Sequence, residues 1–389
     1  MAERLSPVEI LDRLISFPTV SRDSNLPLID WVEAYLGTHG IEAHRHWNDA
    51  RDKAGLFAHV GPLQDGGVVL SGHTDVVPTD GQVWATDPFL LTEKDGRYFG
   101  RGTTDMKGFD ALAIWALVEA RYADLARPLQ LALSYDEEIG CTGAPPLITS
   151  MAALPKAADV IVGEPTELGV VTGHKGGVTF DVHVHGFEVH SSIMHRGVSA
   201  IMWGSKLIEW ANRVNVEQES APPSEMAALF DPPFTNVHVG MIQGGTAHNI
   251  TAKDCTFSLG FRVVPGESLD HWRSRFLTEV AAQTQAMKAV RPEAWIEATE
   301  AFSLPPFAPT ALNGAESLAR TLTGDNADHF VSYGTEASHF QAVGYDAVVC
   351  GPGNIAVAHQ PDEYISVAEF QAGQRFMQRL LTSLGRPEQ

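Results

Sequence analysis

Four short apolar runs each break off into a segment dense in side chains that bind metals or move protons. Val68–Leu70 runs into SGHTDVVP, Leu129–Ser134 into YDEEIG, Val160–Val162 into GEPTE, and Ala347–Cys350 into GPGNIAVAHQP. Runs this short, alternating with helical periodicity, read as strands buried on both faces of a parallel sheet. Such sheets bind ligands outside the carboxyl ends of their strands, so the four polar segments should converge on one crevice. The expected class is therefore α/β with a mainly parallel sheet. At the start of the chain, Ser6, Pro7 and Glu9 form a helix-capping signature, followed by Ile10, Leu11, Leu14 and Ile15 at helical spacing.

The middle of the chain has a different texture. From DVHVHG to AWIEATEAF the pattern is strand, helix, strand, strand, helix, strand, the order of a ferredoxin-like α+β unit. Single cores usually stop growing near ~250–300 residues, so a chain of 389 residues has room for two domains. The expected division is a catalytic domain in two parts, 1–176 and 303–389, with a domain inserted at 177–302. Residues 216–234, rich in Pro, Glu and Ser, read as a long linker, and residues 313–323 as a helix.

Composition then limits the partners. A net charge of −21 repels phosphate backbones and anionic lipid headgroups, so neither nucleic acid nor a membrane surface is an expected partner. Cys141, Cys255 and Cys350 are odd in number and far apart, which fits a reducing cytoplasm rather than a disulfide framework. The opening MAERLSPVEILDRL lacks the pattern of an export signal, and no apolar stretch approaches the ~18 residues of a membrane span.

Hydrolysis of an amide at a metal centre needs imidazole and carboxylate ligands, a position for water, and a separate base. His73 has Asp75 two residues on, placed to orient its ring. Asp105, between the glycine turn of GRGTTDMKG and a helix, could bridge two ions. Glu137 and Glu138 are adjacent in a strand-exit loop, so one can bind metal while the other stays free for proton transfer. Glu164 and His359 follow two further strands.

SGHTDVVP, GRGTTDMKG, DEEIGCTGA, GEPT and HQPDEY, in this order, resemble the aminoacylase and acetylornithine deacetylase family of dinuclear zinc peptidases, which includes succinyl-diaminopimelate desuccinylases and glutamate carboxypeptidases. The resemblance spans nearly the whole chain. It implies that His73, Asp105, Glu138, Glu164 and His359 hold two divalent ions, zinc by preference with cobalt or manganese able to replace it. Asp105 would bridge, Asp75 would hold His73, and Glu137 would be the general acid and base. The middle segment resembles the family's lid and dimerisation domain, which implies a homodimer. Within it, GFEVHSS carries His190 as an oxyanion stabiliser, and GGTAHNITA and GFRVVPG carry Asn249 and Arg262 as substrate ligands. Relatives usually have a proline shortly after HSS, where this chain reads HSSIMHRGVSA.

An arginine fork suits an α-carboxylate, which implies an amino-acid product. YGTEASHF and the final motif resemble the deacetylases of N2-acetyl-L-ornithine, enzymes of arginine biosynthesis, more than the desuccinylases, and Glu336 would then face the δ-ammonium group. Other N-acyl amino acids or dipeptides, and a metal-binding scaffold without turnover, are the alternatives. A nucleotide enzyme lacks its GxGxxG turn. His183 and His185 alternate on one strand face and, with His238 and His248, read as ordinary polar positions. His339 is a candidate pocket residue and Cys141 a small buried one.

Overall fold

The apolar run at Val68–Leu70 extends into a strand, Val68–His73, with every residue buried. It lies parallel to Leu129–Ser134 on one side and to Asp159–Pro165 on the other, and Asp346–Gly351 pairs in parallel with the latter. Two antiparallel strands, Ala54–Val60 and Ala43–Trp47, continue the sheet beyond Leu129–Ser134. The consecutive order is thus Ala43–Trp47, Ala54–Val60, Leu129–Ser134, Val68–His73, Asp159–Pro165, Asp346–Gly351. The strands are longer than the apolar runs that announced them. His73 is the last residue of its strand, and Glu164 lies inside its own.

The computed structural model describes residues 3–386 and divides into two compact units. The first holds the parallel sheet and comprises the chain through Thr172, Pro309–His329, and Thr335 onward. Its helix Lys107–Arg121 is buried on nearly every side, with Phe109, Leu112, Ile114 and Leu117 in the core. A helix can lie this close to a sheet only where side chains are missing: a Cβ on Gly163 would stand 2.0 Å from the ring of Phe109. The first helix, Pro7–Ile15, carries a full capping box in which Ser6 and Glu9 each hold the other's backbone N–H.

The second unit is Gly173–Ala308 with Phe330–Gly334. Its element order is Gly176–His185, helix Ala200–Ser220, Asn236–Gly244, Asp254–Val263, helix Leu269–Val290 and Trp295–Leu304. The sheet order is Asn236–Gly244, Asp254–Val263, Gly176–His185, Trp295–Leu304, all antiparallel. This is the ferredoxin-like arrangement. Val178, Phe180, Val182 and Val184 alternate into a core with Leu207, Trp210, Phe261 and Phe276, while the residues between them point away. The unit is wider than 177–302 because His174 and Phe307 exchange both backbone hydrogen bonds beyond the strand ends.

The segment read as a linker from residue 216 starts later. The helix continues to Ser220, since Asn215 exchanges side-chain hydrogen bonds with the backbone of Val237 and ties its last turns to the next strand. At the far end, the buried Lys175 ammonium donates to the carbonyls of Pro232 and Phe234. The helix expected at 313–323 is Gly314–Thr323, capped by Asn313.

Gly163→Ala should destabilise the protein by about 3 kcal/mol, the upper range for an overpacked core. Chemical unfolding would check this, and a cost near zero would mean that helix and sheet are packed more loosely than described.

Candidate metal centre

The parallel strands end together, His73 opposite Ser134, so the loops that follow them share one rim. There, His73 Nε2 lies 3.1 Å from Asp105 Oδ1, 3.7 Å from Glu164 and 4.0 Å from Glu137. His359 Nε2 lies 3.2 Å from Asp105 Oδ2 and 3.1 Å from Glu138. The two oxygens of Asp105 thus face two separate nests, one with His73 and Glu164 and the other with His359 and Glu138. His359 sits in the left-handed backbone region at φ 63°, a conformation that non-glycine residues keep where surroundings enforce it.

Asp75 contacts both His73 and the loop that follows the neighbouring strand. The His73 ring donates from Nδ1 to the backbone carbonyl of Asp75 at 2.9 Å, while the Asp75 carboxylate is 3.6 Å from that nitrogen. The carboxylate instead accepts from the backbone N–H groups of Glu137 and Glu138 and from the Ser21 hydroxyl. It therefore braces the loop that carries both glutamates and also helps to hold the His73 ring in its charged form.

A second brace has no counterpart in the sequence reading. Glu363 accepts the N–H groups of Gly102, Thr104 and Asp105, and the guanidinium of Arg101 pairs with it at 2.6 Å. Both side chains are 1% exposed. The loop is fixed at four points, which sets where Asp105 points. Glu363 follows directly on the HQPD of the final motif, but its partner is 262 positions away and no local pattern joins them.

Burial pushes Glu137 up to about 8, helped by the charges of Glu138 and Asp105. Glu138 and Glu164 are raised for the same reason, burial first and neighbouring carboxylates next. Hydrogen bonds donated by its ring to Asp105 and Glu138 lift His359 to about 10. In His73, burial opposes the charge, but the Asp105 bond and the surrounding acids prevail and hold its pKa well above the ordinary value. Imidazolium groups are standing where cations would be favoured.

The donor set fits divalent metal ions. Two imidazoles and three carboxylates surround the nests, and one oxygen each of Glu138 and Glu164 is buried without a hydrogen-bond partner, a costly state unless a cation meets it. His73, Asp105 and Glu138 converge as ligands, and so do His73, Glu137 and Glu164, so distance alone does not separate Glu137 from the ligands. Glu137 has one further contact: the Cys141 thiol donates to its Oε1 at 3.1 Å. Cys141 is buried, as read from the sequence, but it has a partner that the sequence did not disclose.

Glu336 lies beneath this cluster, 1% exposed, with one oxygen held by Ser134 and the other by Ser71 at 3.3 Å. Burial raises it to about 7. A carboxylate so enclosed is not presented to a substrate, and the expected contact with a δ-ammonium group does not fit this placement. His339 is largely buried, which lowers it to about 4.

The other three candidate residues belong to the second unit. His190 caps a short turn, Ser191–Arg196, through Ser192, and is exposed. This turn stands where the resemblance implied a proline. Asn249 accepts the Ser191 N–H through its carbonyl, so the loops bearing His190 and Asn249 are joined. Arg262 is exposed on Asp254–Val263.

Comparison with known proteins gives a consistent result. Residues 69–383 match the family described as Peptidase family M20/M25/M40. An acetylornithine deacetylase from Myxococcus xanthus is 36% identical over 371 residues, 92% of each chain. One from Proteus mirabilis is 32% identical, covering 96% of this chain and 95% of that protein. Among solved structures, an M20 family metallo-carboxypeptidase from Sulfolobus solfataricus aligns over 98% of this chain and 99% of that one, with a TM-score of 0.79 at 16% identity.

Protons and divalent ions should compete for the cluster. The raised pKa of His359 gives stability that is complete below its unfolded value of 6.5 and lost as pH rises through about 10. Glu137, raised from 4.5 to about 8, costs stability as pH rises between those values and so adds to the loss only up to about pH 8. Chelator-treated protein should therefore melt at a lower temperature at pH 9 than at pH 7, and zinc should remove most of that difference. A melting temperature independent of pH with the metal stripped would contradict the assigned electrostatics.

Proposed function

We propose, since the chain belongs to peptidase family M20/M25/M40 and is a metal-dependent hydrolase acting on amide bonds, that it cleaves N2-acetyl-L-ornithine to L-ornithine and acetate. The convergence of His73, Asp105, Glu138, Glu164 and His359 beside a largely buried Glu137 carries the catalytic part of this reading. The substrate part is supported by relatives named acetylornithine deacetylase that match over more than nine-tenths of the chain.

His73, Asp105, Glu138, Glu164 and His359 are the residues that would hold two divalent ions, zinc by preference. Such ions supply Lewis acidity towards a carbonyl oxygen and make water acidic enough to lose a proton near neutral pH. Glu137 takes the proton of the attacking water and returns it to the leaving amine, a role for which a pKa near neutrality is suited. Asp75 holds Glu137 in place through its backbone N–H, and the Cys141 thiol fixes one of its oxygens. His190 would donate to the developing oxyanion, while Arg262 and Asn249 would hold the α-carboxylate and the amide.

Action in the cytoplasm, within arginine biosynthesis, agrees with three cysteines that are all buried and free. No helix among the described residues is long and apolar enough to cross a membrane. A homodimer is supported by the edge strand Asn236–Gly244, whose Met241 and Ile242 are 74% and 54% exposed.

Steady-state hydrolysis should be fastest on N2-acetyl-L-ornithine within a panel that includes N-acetyl-methionine, N-succinyl-diaminopimelate and a dipeptide. A faster member of the panel would replace the substrate assignment. Glu137→Gln should lose about 10²-fold or more in kcat while retaining its metal content. Normal turnover in that variant would remove Glu137 from the mechanism.

A further inference from the structure

The outer face of the four-stranded sheet carries a second group of metal-binding side chains that the reaction does not use. We propose that His183, His185 and Asp254 form a separate site for one divalent transition-metal ion.

Strand alternation creates the group. Val182 and Val184 point into the core of the second unit, so His183 and His185 share the opposite face, and Asp254 pairs directly across from His185 on the neighbouring strand. Asp254 Oδ1 lies 2.8 Å from His183 Nε2 and 2.8 Å from His185 Nδ1. One ligand atom from each residue falls within 4.8 Å of the other two. Trp295, paired with His185 on its other side, stacks on that ring at 5.0 Å and 12° and meets the edge of His183 at 4.9 Å. The rings are therefore held in place before any ion arrives.

Tetrahedral coordination at ~2.1 Å sets neighbouring ligand atoms ~3.4 Å apart, so the carboxylate needs to open by about half an ångström. The side chains are 25–50% exposed, which leaves them free to do so and gives an ion a path from solvent. Without an ion, Asp254 accepts a hydrogen bond from each ring; an ion would take the place of those two N–H groups, with each neutral ring carrying its proton on the other nitrogen. Two imidazoles and one carboxylate select zinc, nickel or copper over magnesium and calcium, and the fourth position is open to water. Glu297, paired opposite His183, adds negative charge to the same face. An ion here would clamp Gly176–His185 to Asp254–Val263.

The test uses the full chain with its catalytic site loaded, dialysed free of excess metal and titrated with zinc. The unmutated protein should bind one more equivalent per chain than His185→Gln or Asp254→Asn, whose affinity for it should fall by about 100-fold or more. Catalytic turnover should be unchanged in both variants. Equal stoichiometry and affinity in all three proteins would overturn the proposal. Independently of these variants, Ni2+ should cause a saturable loss of tryptophan emission that is absent from Trp295→Phe. No saturable loss, or the same loss in Trp295→Phe, would overturn it as well.

Discussion

Like charges brought within a few ångströms of each other and out of water repel strongly, and the rim of the parallel sheet is built around such a crowd. Asp75, Asp105, Glu137, Glu138 and Glu164 are all largely buried around His73, with His359 completing the group. Two imidazolium rings offset part of this negative charge, while burial first and the neighbouring carboxylates next hold Glu137, Glu138 and Glu164 above the ordinary carboxylate range. A fold does not keep such an arrangement for its own stability, because removing the acids would lower the energy of the protein alone. Divalent ions held here would relieve the crowding, and the same ions would supply the chemistry of a metal-dependent hydrolase.

What holds the crowd in place is a set of braces outside it. Glu363 gathers three consecutive-region N–H groups and the Arg101 guanidinium, fixing the Asp105 loop. Asp75 does the same for the loop of Glu137 and Glu138, backed by Ser21. Each uses a buried carboxylate as a multiple acceptor, and breaking a buried pair such as Arg101 with Glu363 would leave an uncompensated charge, a loss of ~3–5 kcal/mol. Preorganisation of this kind keeps the ligands from relaxing apart when no ion is bound.

The parts of this protein that could be read from sequence are those encoded locally. Apolar runs gave the parallel strands, the Ser6 and Glu9 pair gave the first helix, and motifs at strand exits named residues that the fold does bring together. Strand ends were less legible, since polar His73 and Glu164 continue the ladder by backbone pairing to which composition is blind. Long-range partners left no local trace: Arg101 with Glu363, and Asp75 with Ser21. The surroundings of Glu336 were hidden for a related reason. A glutamate in a polar motif looks available, and only the packing reveals that Ser71 and Ser134 enclose it. His183 and His185 were recognised as sharing a strand face, but Asp254 and Trp295 arrive from two other strands.

The central claim is that five residues from separate segments of the chain make a two-ion centre, and its most direct test is anomalous diffraction at the zinc edge from crystals of the zinc-loaded protein. Two peaks are predicted, one beside His73 and Glu164 and one beside His359 and Glu138, with Asp105 about 2 Å from both. A cluster without peaks at full zinc occupancy elsewhere, or a single peak that leaves His359 and Glu138 unliganded, would contradict the account.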